Sequence, residues 1–169
     1  MIQIKAEHEV YGAIRNVADE LNSLFENKFS SQNPAVFLTV LDGGIYFTGR
    51  IMNLIQFPSV WGSVSYRRYG KEDATLTEPT VSVSYKEVIL LDDIFDEGVT
   101  LQKLSEMLLQ LGATRVWTVC LFKKQKMVPT QEIGPDFYGD SVPDKFVFGS
   151  GMDRKDGHCR QLAGLHYEV

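Results

Sequence analysis

The segment Val88–Thr100 joins a strongly apolar run to an acidic cluster and a glycine-containing turn. Four apolar residues lead into Asp92 and Asp93, and carboxylates delivered by a buried strand are expected to emerge into a cleft. A pair of carboxylates suits ribose hydroxyl groups, which donate hydrogen bonds, or the coordination shell of Mg²⁺. Taken singly, each acid is more simply explained as a cap, so the hypothesis depends on the whole ordered string.

The residues that follow the acid pair have the composition of an anion site. Asp96 and Glu97 precede Gly98, which permits close approach of a ligand to the backbone, and Val99 and Thr100 open a predicted helix. The first N–H groups of a helix lack acceptors and lie at the positive end of its dipole, and a hydroxyl adds a donor. This turn is therefore predicted to bind phosphate. The string matches neither GxGxxG nor the P-loop pattern, which argues against both of those nucleotide sites.

The elements that must position this segment alternate between helix and strand patterns. Hydrophobic periodicity predicts helices at about 10–29 and 45–55, and a third after Glu97 that Gly112 caps. Apolar runs predict strands at 35–41, 57–66, 86–91 and 115–122, with short strands near 136–138 and 146–149. Residues 67–80 show little periodicity and are predicted to form a long mobile loop.

This alternation predicts a single α/β domain, residues 1–169, with a mostly parallel central sheet flanked by helices. Ligands of such sheets bind beyond the carboxyl ends of the strands. Three groups of polar residues are predicted to lie at those ends: Asp42–Gly44, Asp92–Thr100 and Lys123–Lys124.

Composition narrows the class of function. The 169-residue chain has a formal net charge of −5, which disfavours a role that depends on coating a nucleic-acid backbone. Cys120 and Cys159 form no CxxC pair, and the three histidines lack the spacing of a zinc site. No apolar stretch is long enough to span a membrane, and the N-terminus lacks the apolar block of a signal peptide. A cytoplasmic protein without a nucleic-acid or membrane partner is expected.

Val88–Thr100 resembles the signature with which type I phosphoribosyltransferases bind 5-phosphoribosyl 1-diphosphate (PRPP), and the order of the other elements resembles the hypoxanthine-guanine branch. The resemblance implies a small hood formed by the N- and C-terminal segments. It also implies that Asp92 and Asp93 hold the ribose hydroxyls and that residues 96–100 bind the 5′-phosphate. Asp96 would lie beside purine N7 and exchange its proton. Glu97 departs from the family's usual threonine.

Leu41, Asp42 and Gly43 resemble the pyrophosphate loop of the family. The resemblance implies a cis peptide between Leu41 and Asp42, and backbone contacts from the three residues to pyrophosphate. Lysine is common at the position of Asp42, whose own carboxylate cannot attract pyrophosphate. Arg160 resembles a pyrophosphate-binding arginine, although its spacing from Asp153 is one residue longer than usual.

Ser65 and Tyr66 resemble the pair that opens the catalytic flexible loop of the family. Closure of such a loop would exclude water from a reactive ribosyl cation. Lys123 follows a predicted strand at the position where the family places a lysine that donates to the purine 6-oxo group. Because Lys124 is its neighbour, either lysine could occupy that position.

The segment that begins at Pro143 resembles the purine-binding part of the family. By this resemblance Phe146 would stack on the purine, Val147 would contact the base through its backbone, and Asp153 would lie near the exocyclic base edge. The implied cofactor is Mg²⁺, held by Asp92, Asp93 and Asp153.

The resemblance implies purine salvage: transfer of a phosphoribosyl group from PRPP to hypoxanthine or guanine, which gives the nucleoside monophosphate and pyrophosphate. The family usually forms homodimers or homotetramers. Two alternatives stay open in principle. A nucleotide-sensing regulator can share the fold without catalysis, although the acidic charge disfavours it. A phosphoacceptor receiver domain also has an acid pair, a threonine and a lysine after strands, but its acid pair follows the first strand.

Overall fold

The computed structural model describes residues 1–69, 73–126 and 134–168. Nine strands and three helices are assigned within these ranges. In chain order they are β1 (Ile2–Lys5), α1 (Glu7–Phe25), β2 (Ala35–Leu41), α2 (Ile45–Ile51), β3 (Ser59–Tyr69), β4 (Asp73–Leu76), β5 (Glu87–Phe95), α3 (Val99–Gln110), β6 (Arg115–Gln125), β7 (Phe137–Pro143), β8 (Val147–Phe148) and β9 (Leu165–Tyr167).

A six-stranded sheet in the order β4-β3-β2-β5-β6-β7 forms the centre of the molecule. Strands β3, β2, β5, β6 and β7 are parallel to their neighbours, and only β4, at one edge, runs antiparallel. The sheet is covered on both faces, so β2 and residues 88–91 of β5 are almost entirely buried and, apart from Thr39, apolar. The α/β fold with a mostly parallel central sheet is confirmed.

Each face of the sheet has its own apolar core. On one face α1 and α2 pack with a cluster that includes Phe25, Phe37 and Phe47. On the other face α3 packs with a cluster that includes Leu104 and Leu108. Because burial of each such side chain stabilises the fold by roughly 1.5–3 kcal/mol, these two cores fix β5 and α3 on either side of the turn that joins them.

A second sheet in the order β1-β9-β8 is antiparallel and combines the two ends of the described chain. Ile2 pairs with Tyr167, and Val147 pairs with Tyr167 from the other side. The predicted hood made from the N- and C-terminal segments is therefore confirmed. The middle strand of this sheet, β9, lies in the C-terminal tail, for which no helix or strand was predicted.

Several predicted boundaries were wrong because side chains just outside an element are also buried. Helix α1 ends at Phe25, while Phe29 lies beyond the helix with its ring 5.4 Å from that of Phe25. Helix α2 stops at Ile51, and a single 3₁₀ turn, Met52–Leu54, replaces the rest of the predicted helix. Gly112 does cap α3, with a φ of 92°.

The predicted loop at 67–80 was also wrong, because β3 continues to Tyr69 and pairs with β4 as a hairpin. Residues 70–72, between the two strands, lie outside the described residues. Strand β5 runs to Phe95 and β6 to Gln125, both longer than predicted, because their ladder continues beyond the apolar run. The acid pair of β5 and the lysine pair of β6 thus belong to strands, and not to the loops after them.

Candidate functional site

A cleft of about 190 Å³ opens where β5 passes into α3. Nine residues line it, and all but the last belong to the segment that the sequence singles out: Asp92, Ile94, Phe95, Asp96, Glu97, Gly98, Val99, Thr100 and Leu101. The cleft lies at the carboxyl end of the central strand β5, which is where a parallel sheet presents its ligand site.

The acid pair is held rigidly within the end of β5. Asp92 is only 7% exposed, and its Oδ1 accepts a hydrogen bond from the N–H of Asp93 at 2.9 Å. The Oδ1 of Asp93 accepts from the N–H of Ile94 at 2.8 Å. Burial, followed by the charge of Asp93, raises the pKa of Asp92 well above its usual range. The two carboxylates are therefore short of positive charge or of donors, which a cation or a ligand rich in hydroxyl groups would supply.

The turn after β5 requires glycine for two reasons. Gly98 has a φ of 77°, in the left-handed region, and a Cβ at this residue would lie 2.7 Å from Cζ of Phe95. Helix α3 begins at the next residue, so the N–H groups of its first turn have no acceptor within the helix. Glu97 is exposed at the same turn. Unpaired N–H groups at such a helix start, with a hydroxyl such as that of Thr100 nearby in sequence, can bind an anion.

Asp96 lies between two ammonium groups. Its Oδ2 accepts from Nζ of Lys124 at 2.5 Å, and its Oδ1 accepts from Nζ of Lys126. Burial alone would raise the pKa of Asp96, but hydrogen bonds from the two lysines outweigh it and hold the pKa below its usual value. Lys126 also donates to Oδ1 of Asp144 at 3.1 Å, two residues before Phe146. Asp96 is thus an ionised acceptor at the rim of the cleft.

Asp96, Lys124, Lys126 and Asp144 together form the Asp96 group. The side chain of Lys123 is directed away from this group. Consecutive residues of a strand leave opposite faces of the sheet, and Nζ of Lys123 lies over the ring of Tyr138, 5.3 Å from its centroid. The side chain of Lys124 is 11% exposed and reaches Asp96. Of the two lysines between which the sequence could not decide, Lys124 is the one beside the cleft.

The loop that joins β2 to α2 lies against the acid pair. Its Leu41–Asp42 peptide is cis, as predicted. A Cβ at Gly43 would collide with the carboxylate of Asp93, so only glycine permits this close approach. The carboxylate of Asp42 accepts from Nη2 of Arg67 at 3.2 Å, and this arginine belongs to β3. The positive charge of Arg67 therefore lies beside this loop, although the loop itself carries the negative charge of Asp42.

Ser65 and Tyr66 belong to β3, and not to the start of a loop. The Ser65 N–H donates to Oγ1 of Thr77 at 2.9 Å, and Tyr66 pairs with Leu76 in β4. The pair therefore forms the base of the β3–β4 hairpin.

A loop of the hood completes this side of the site. A Cβ at Gly151 would lie 3.0 Å from the carbonyl oxygen of Gly43, so the hood loop touches the β2–α2 loop. Arg160 donates to the carbonyl of Gly151 and to Oδ2 of Asp153, each at 2.7 Å. Burial is the main reason why the pKa of Asp93 is raised, and the charge of Arg160 is one of the influences that oppose this rise.

Two of the residues expected to bind the purine, Phe146 and Val147, lie just before β8 and at its start. Phe146 is 47% exposed, whereas Val147 is buried in the hood sheet. Lys155 lies over the ring of Phe146, with 5.4 Å between Nζ and the centroid. The ring of Phe146 is half-exposed, and its segment is linked to Asp96 through the contact of Asp144 with Lys126. An exposed aromatic ring of this kind can stack on a planar ligand.

The donor set fits a magnesium ion that a phosphate ligand would share. Within residues 1–69, 73–126 and 134–168 no cluster of three His, Cys, Asp or Glu side chains could hold a metal. The third predicted ligand, Asp153, is instead paired with Arg160. Asp92 and Asp93 remain together, and Mg²⁺ is commonly bound by one or two carboxylates plus the phosphates of a substrate.

The comparisons with known proteins agree with this geometry. The family model described as a phosphoribosyl transferase domain matches residues 7–156. The chain belongs to this family. Among curated phosphoribosyltransferases, the hypoxanthine-guanine phosphoribosyltransferase of Aquifex aeolicus is 28% identical over 153 residues, which cover 87% of this chain and 83% of that protein. The Bacillus subtilis protein of the same name is 26% identical over 154 residues, with coverage of 88% and 82%.

Solved phosphoribosyltransferase structures share the fold. A hypoxanthine-guanine phosphoribosyltransferase from Bacillus anthracis superposes with a TM-score of 0.88 at 21% identity, covering 100% of this chain and 99% of that one. The Trypanosoma cruzi hypoxanthine phosphoribosyltransferase in complex with the product IMP gives a TM-score of 0.86 at 23% identity, with coverage of 98% and 92%. Among the described residues, no helix of this phosphoribosyltransferase is long and apolar enough to cross a membrane.

Two residues of the Asp96 group, Lys126 and Asp144, were not recognised from the sequence. Asp144 lies in the segment that resembles the purine-binding part of the family, but no role was assigned to it. Lys126 lies outside the matching motifs, and a lone lysine near a strand end usually indicates only a solvated surface. The available signal was the spacing of Lys124 and Lys126, which places both side chains on one face of an extended chain.

Proposed function

We propose that the protein joins a 6-oxopurine, hypoxanthine or guanine, to PRPP and releases pyrophosphate, as a purine salvage enzyme. The proposal is supported most by the cleft lined by residue 92 and residues 94–101, with the ionised Asp96 at its rim beside Lys124. The names of the curated relatives, hypoxanthine-guanine phosphoribosyltransferases of similar length, point to the same substrates.

In this proposal the cleft binds the phosphoribosyl half of PRPP. The 5′-phosphate accepts hydrogen bonds from the backbone N–H groups of residues 96–100 and from the Thr100 hydroxyl. The ribose hydroxyls donate to the carboxylates of Asp92 and Asp93, which would otherwise be buried without enough donors. Glu97 contributes its N–H and keeps its exposed carboxylate directed toward solvent, away from the phosphate charge.

Asp96 accepts the proton of purine N7. As purine N9 bonds to the ribose carbon C1′, the bond from C1′ to the diphosphate oxygen breaks, and the N7 proton passes to the carboxylate. The lowered pKa of Asp96 keeps it ionised before the reaction, and the carboxylate is the form that can accept the N7 proton. Its lysine partners hold it at the rim of the cleft, so the main contributions are alignment and charge.

Lys124 is the preferred donor to the purine 6-oxo group, in place of Lys123. An ammonium group can donate to a carbonyl oxygen but not accept from the 6-amino group of adenine, so this contact selects 6-oxopurines. Phe146 would stack on the base and the Val147 backbone would contact it. Asp153 would lie near the exocyclic edge, oriented by Arg160.

The diphosphate half of PRPP is assigned to the region between the acid pair and the hood loop. Backbone groups of Leu41, Asp42 and Gly43 would bind it together with Arg160. Mg²⁺, when bound by Asp92 and Asp93, would neutralise charge on the departing pyrophosphate. A homodimer or homotetramer and a cytoplasmic location remain predictions.

The decisive assay incubates the full chain with PRPP, MgCl₂ and hypoxanthine, guanine, xanthine or adenine, and follows nucleotide formation. We expect product with hypoxanthine or guanine and none with adenine. Asp96→Asn should reduce kcat by at least about 100-fold, the low end for lost proton transfer, while PRPP binding persists. Asp19→Asn, an exposed acid of α1, is the matched control. Full activity of the Asp96 variant would refute its role, and absence of any product would favour a nucleotide-sensing protein.

A further inference from the structure

Lys126, just after β6, connects two other parts of the site that are distant from it in sequence. Its ammonium donates to Oδ1 of Asp96, in the turn before α3, and to Oδ1 of Asp144, in the segment that carries Phe146. Its side chain is 32% exposed, and both carboxylates that it bridges are 42% exposed. The hydrogen bond to Asp96 is the largest influence that raises the pKa of Lys126, so the side chain of this lysine is protonated and positively charged.

This arrangement leaves neither oxygen of Asp96 free of an ammonium group, so a purine N7–H would compete with one of the two lysines for a place beside the carboxylate. Lys124 occupies Oδ2 of Asp96 and Lys126 occupies Oδ1, so both oxygens already accept from ammonium groups. A purine N7–H needs one of those oxygens. Lys124 would stay, because the proposed purine contact keeps it beside the base. Lys126 has a second carboxylate within reach, which gives it a place to go.

We propose that Lys126 is a positioning residue that holds Asp96 toward the cleft while no purine is bound, and that moves fully onto Asp144 when purine N7–H takes its place. The inference rests on the proposed role of Asp96 as acceptor of the N7 proton. In this scheme Asp144 sets how readily Lys126 leaves. The purine and Lys126 then compete for one oxygen, and Asp144 favours the purine.

Competition predicts effects of opposite sign for two neighbouring substitutions. Lys126→Met removes the competitor, so KM for hypoxanthine should fall by about two- to fivefold, the equivalent of one partly exposed ion pair. Its kcat should change by less than about twofold, because Lys126 has already left Asp96 in the purine-bound enzyme. Asp144→Asn leaves Lys126 with only Asp96, so KM for hypoxanthine should rise by about two- to fivefold with kcat little changed.

The experiment measures kcat and KM for hypoxanthine and for PRPP in the full chain at saturating cosubstrate and MgCl₂. The double variant Lys126→Met/Asp144→Asn should match Lys126→Met, because Asp144 acts only through Lys126. Lys126→Arg, which keeps the competing cation, should return KM for hypoxanthine most of the way to the value of the unsubstituted protein. Lys103→Met, which removes an exposed ion pair with Glu106 on α3, is the control and should match the unsubstituted protein.

Equal changes in KM for both substrates would indicate a merely structural role and overturn the inference. A rise in KM for hypoxanthine in Lys126→Met would also overturn it, because Lys126 would then be a direct purine ligand. An effect of Asp144→Asn that persists without Lys126 would do the same. In each case Asp96→Asn separately tests the proposed function, so failure of one idea is distinguishable from failure of the other.

Discussion

Gly43→Ala tests the proposed role of Asp93 separately from folding, because the new methyl group would collide with the Asp93 carboxylate. A Cβ at this residue would lie 2.6 Å from Cγ of Asp93 and 3.1 Å from its Oδ1. Unstrained contacts begin near about 3.5 Å, so the carboxylate must move by roughly 1 Å. A misplacement of that size can cost about 100-fold in rate, and we expect kcat/KM for PRPP to fall by about that factor.

The cost in stability should be small by comparison. Overpacking costs about 1–3 kcal/mol, and the low end applies here because the colliding atoms lie at the end of a side chain. Gly49→Ala is the matched control, since a Cβ at that position in α2 meets nothing within 4 Å. That variant should gain about 0.5–1 kcal/mol and keep full activity. Steady-state kinetics together with thermal unfolding test both variants. Unchanged PRPP kinetics in Gly43→Ala would refute the placement of Asp93 in the PRPP site.

Three further predictions concern the acid pair and the lysine pair. Asp92→Asn should stabilise the unliganded protein by about 0.5–2 kcal/mol at pH 7 in thermal melts, because burial raises the pKa of Asp92. A raised folded-state pKa costs stability as pH rises above the unfolded value, so this gain should disappear below about pH 4. Lys124→Met should raise KM for hypoxanthine by at least about tenfold, whereas Lys123→Met should stay within about twofold. PRPP with MgCl₂ at about 100 times its Kd should raise Tm by about 5–11 °C, and Asp93→Asn should abolish that shift.

The central elements of the fold could be predicted because their sequence patterns have a local physical cause. Strand β2 was predicted with its observed bounds, since a continuously apolar run between turn residues is what a strand buried on both faces requires. The glycine turn before α3 was predicted because its residue types carry their own backbone preferences. The β3–β4 hairpin was missed because β4 is an edge strand, polar and paired on one side only. Nothing in residues 67–80 marks that pairing locally.

The site was predictable in its strands but not in its side-chain partners. The direction of a side chain at the end of a strand depends on the last ladder bonds, so sequence alone left Lys123 and Lys124 equivalent. Only the structure brings Lys126 and Asp144 to Asp96, across 30 and 48 positions of the chain respectively (126 − 96 and 144 − 96). The pairing of Asp153, a predicted metal ligand, with Arg160 likewise depends on the course of the hood loop.

The hood sheet also imposes an order on folding. Strand β8, which carries Val147, is held through β9, and β9 pairs with β1 near the other end of the chain. Contacts between residues so far apart in sequence close the largest loop of the molecule, and such contacts form late. During synthesis the parallel sheet from β2 to β6 can assemble as soon as those strands have left the ribosome. The turn at residues 96–100 can therefore form first, and β8 joins the hood sheet only after β9 has been made.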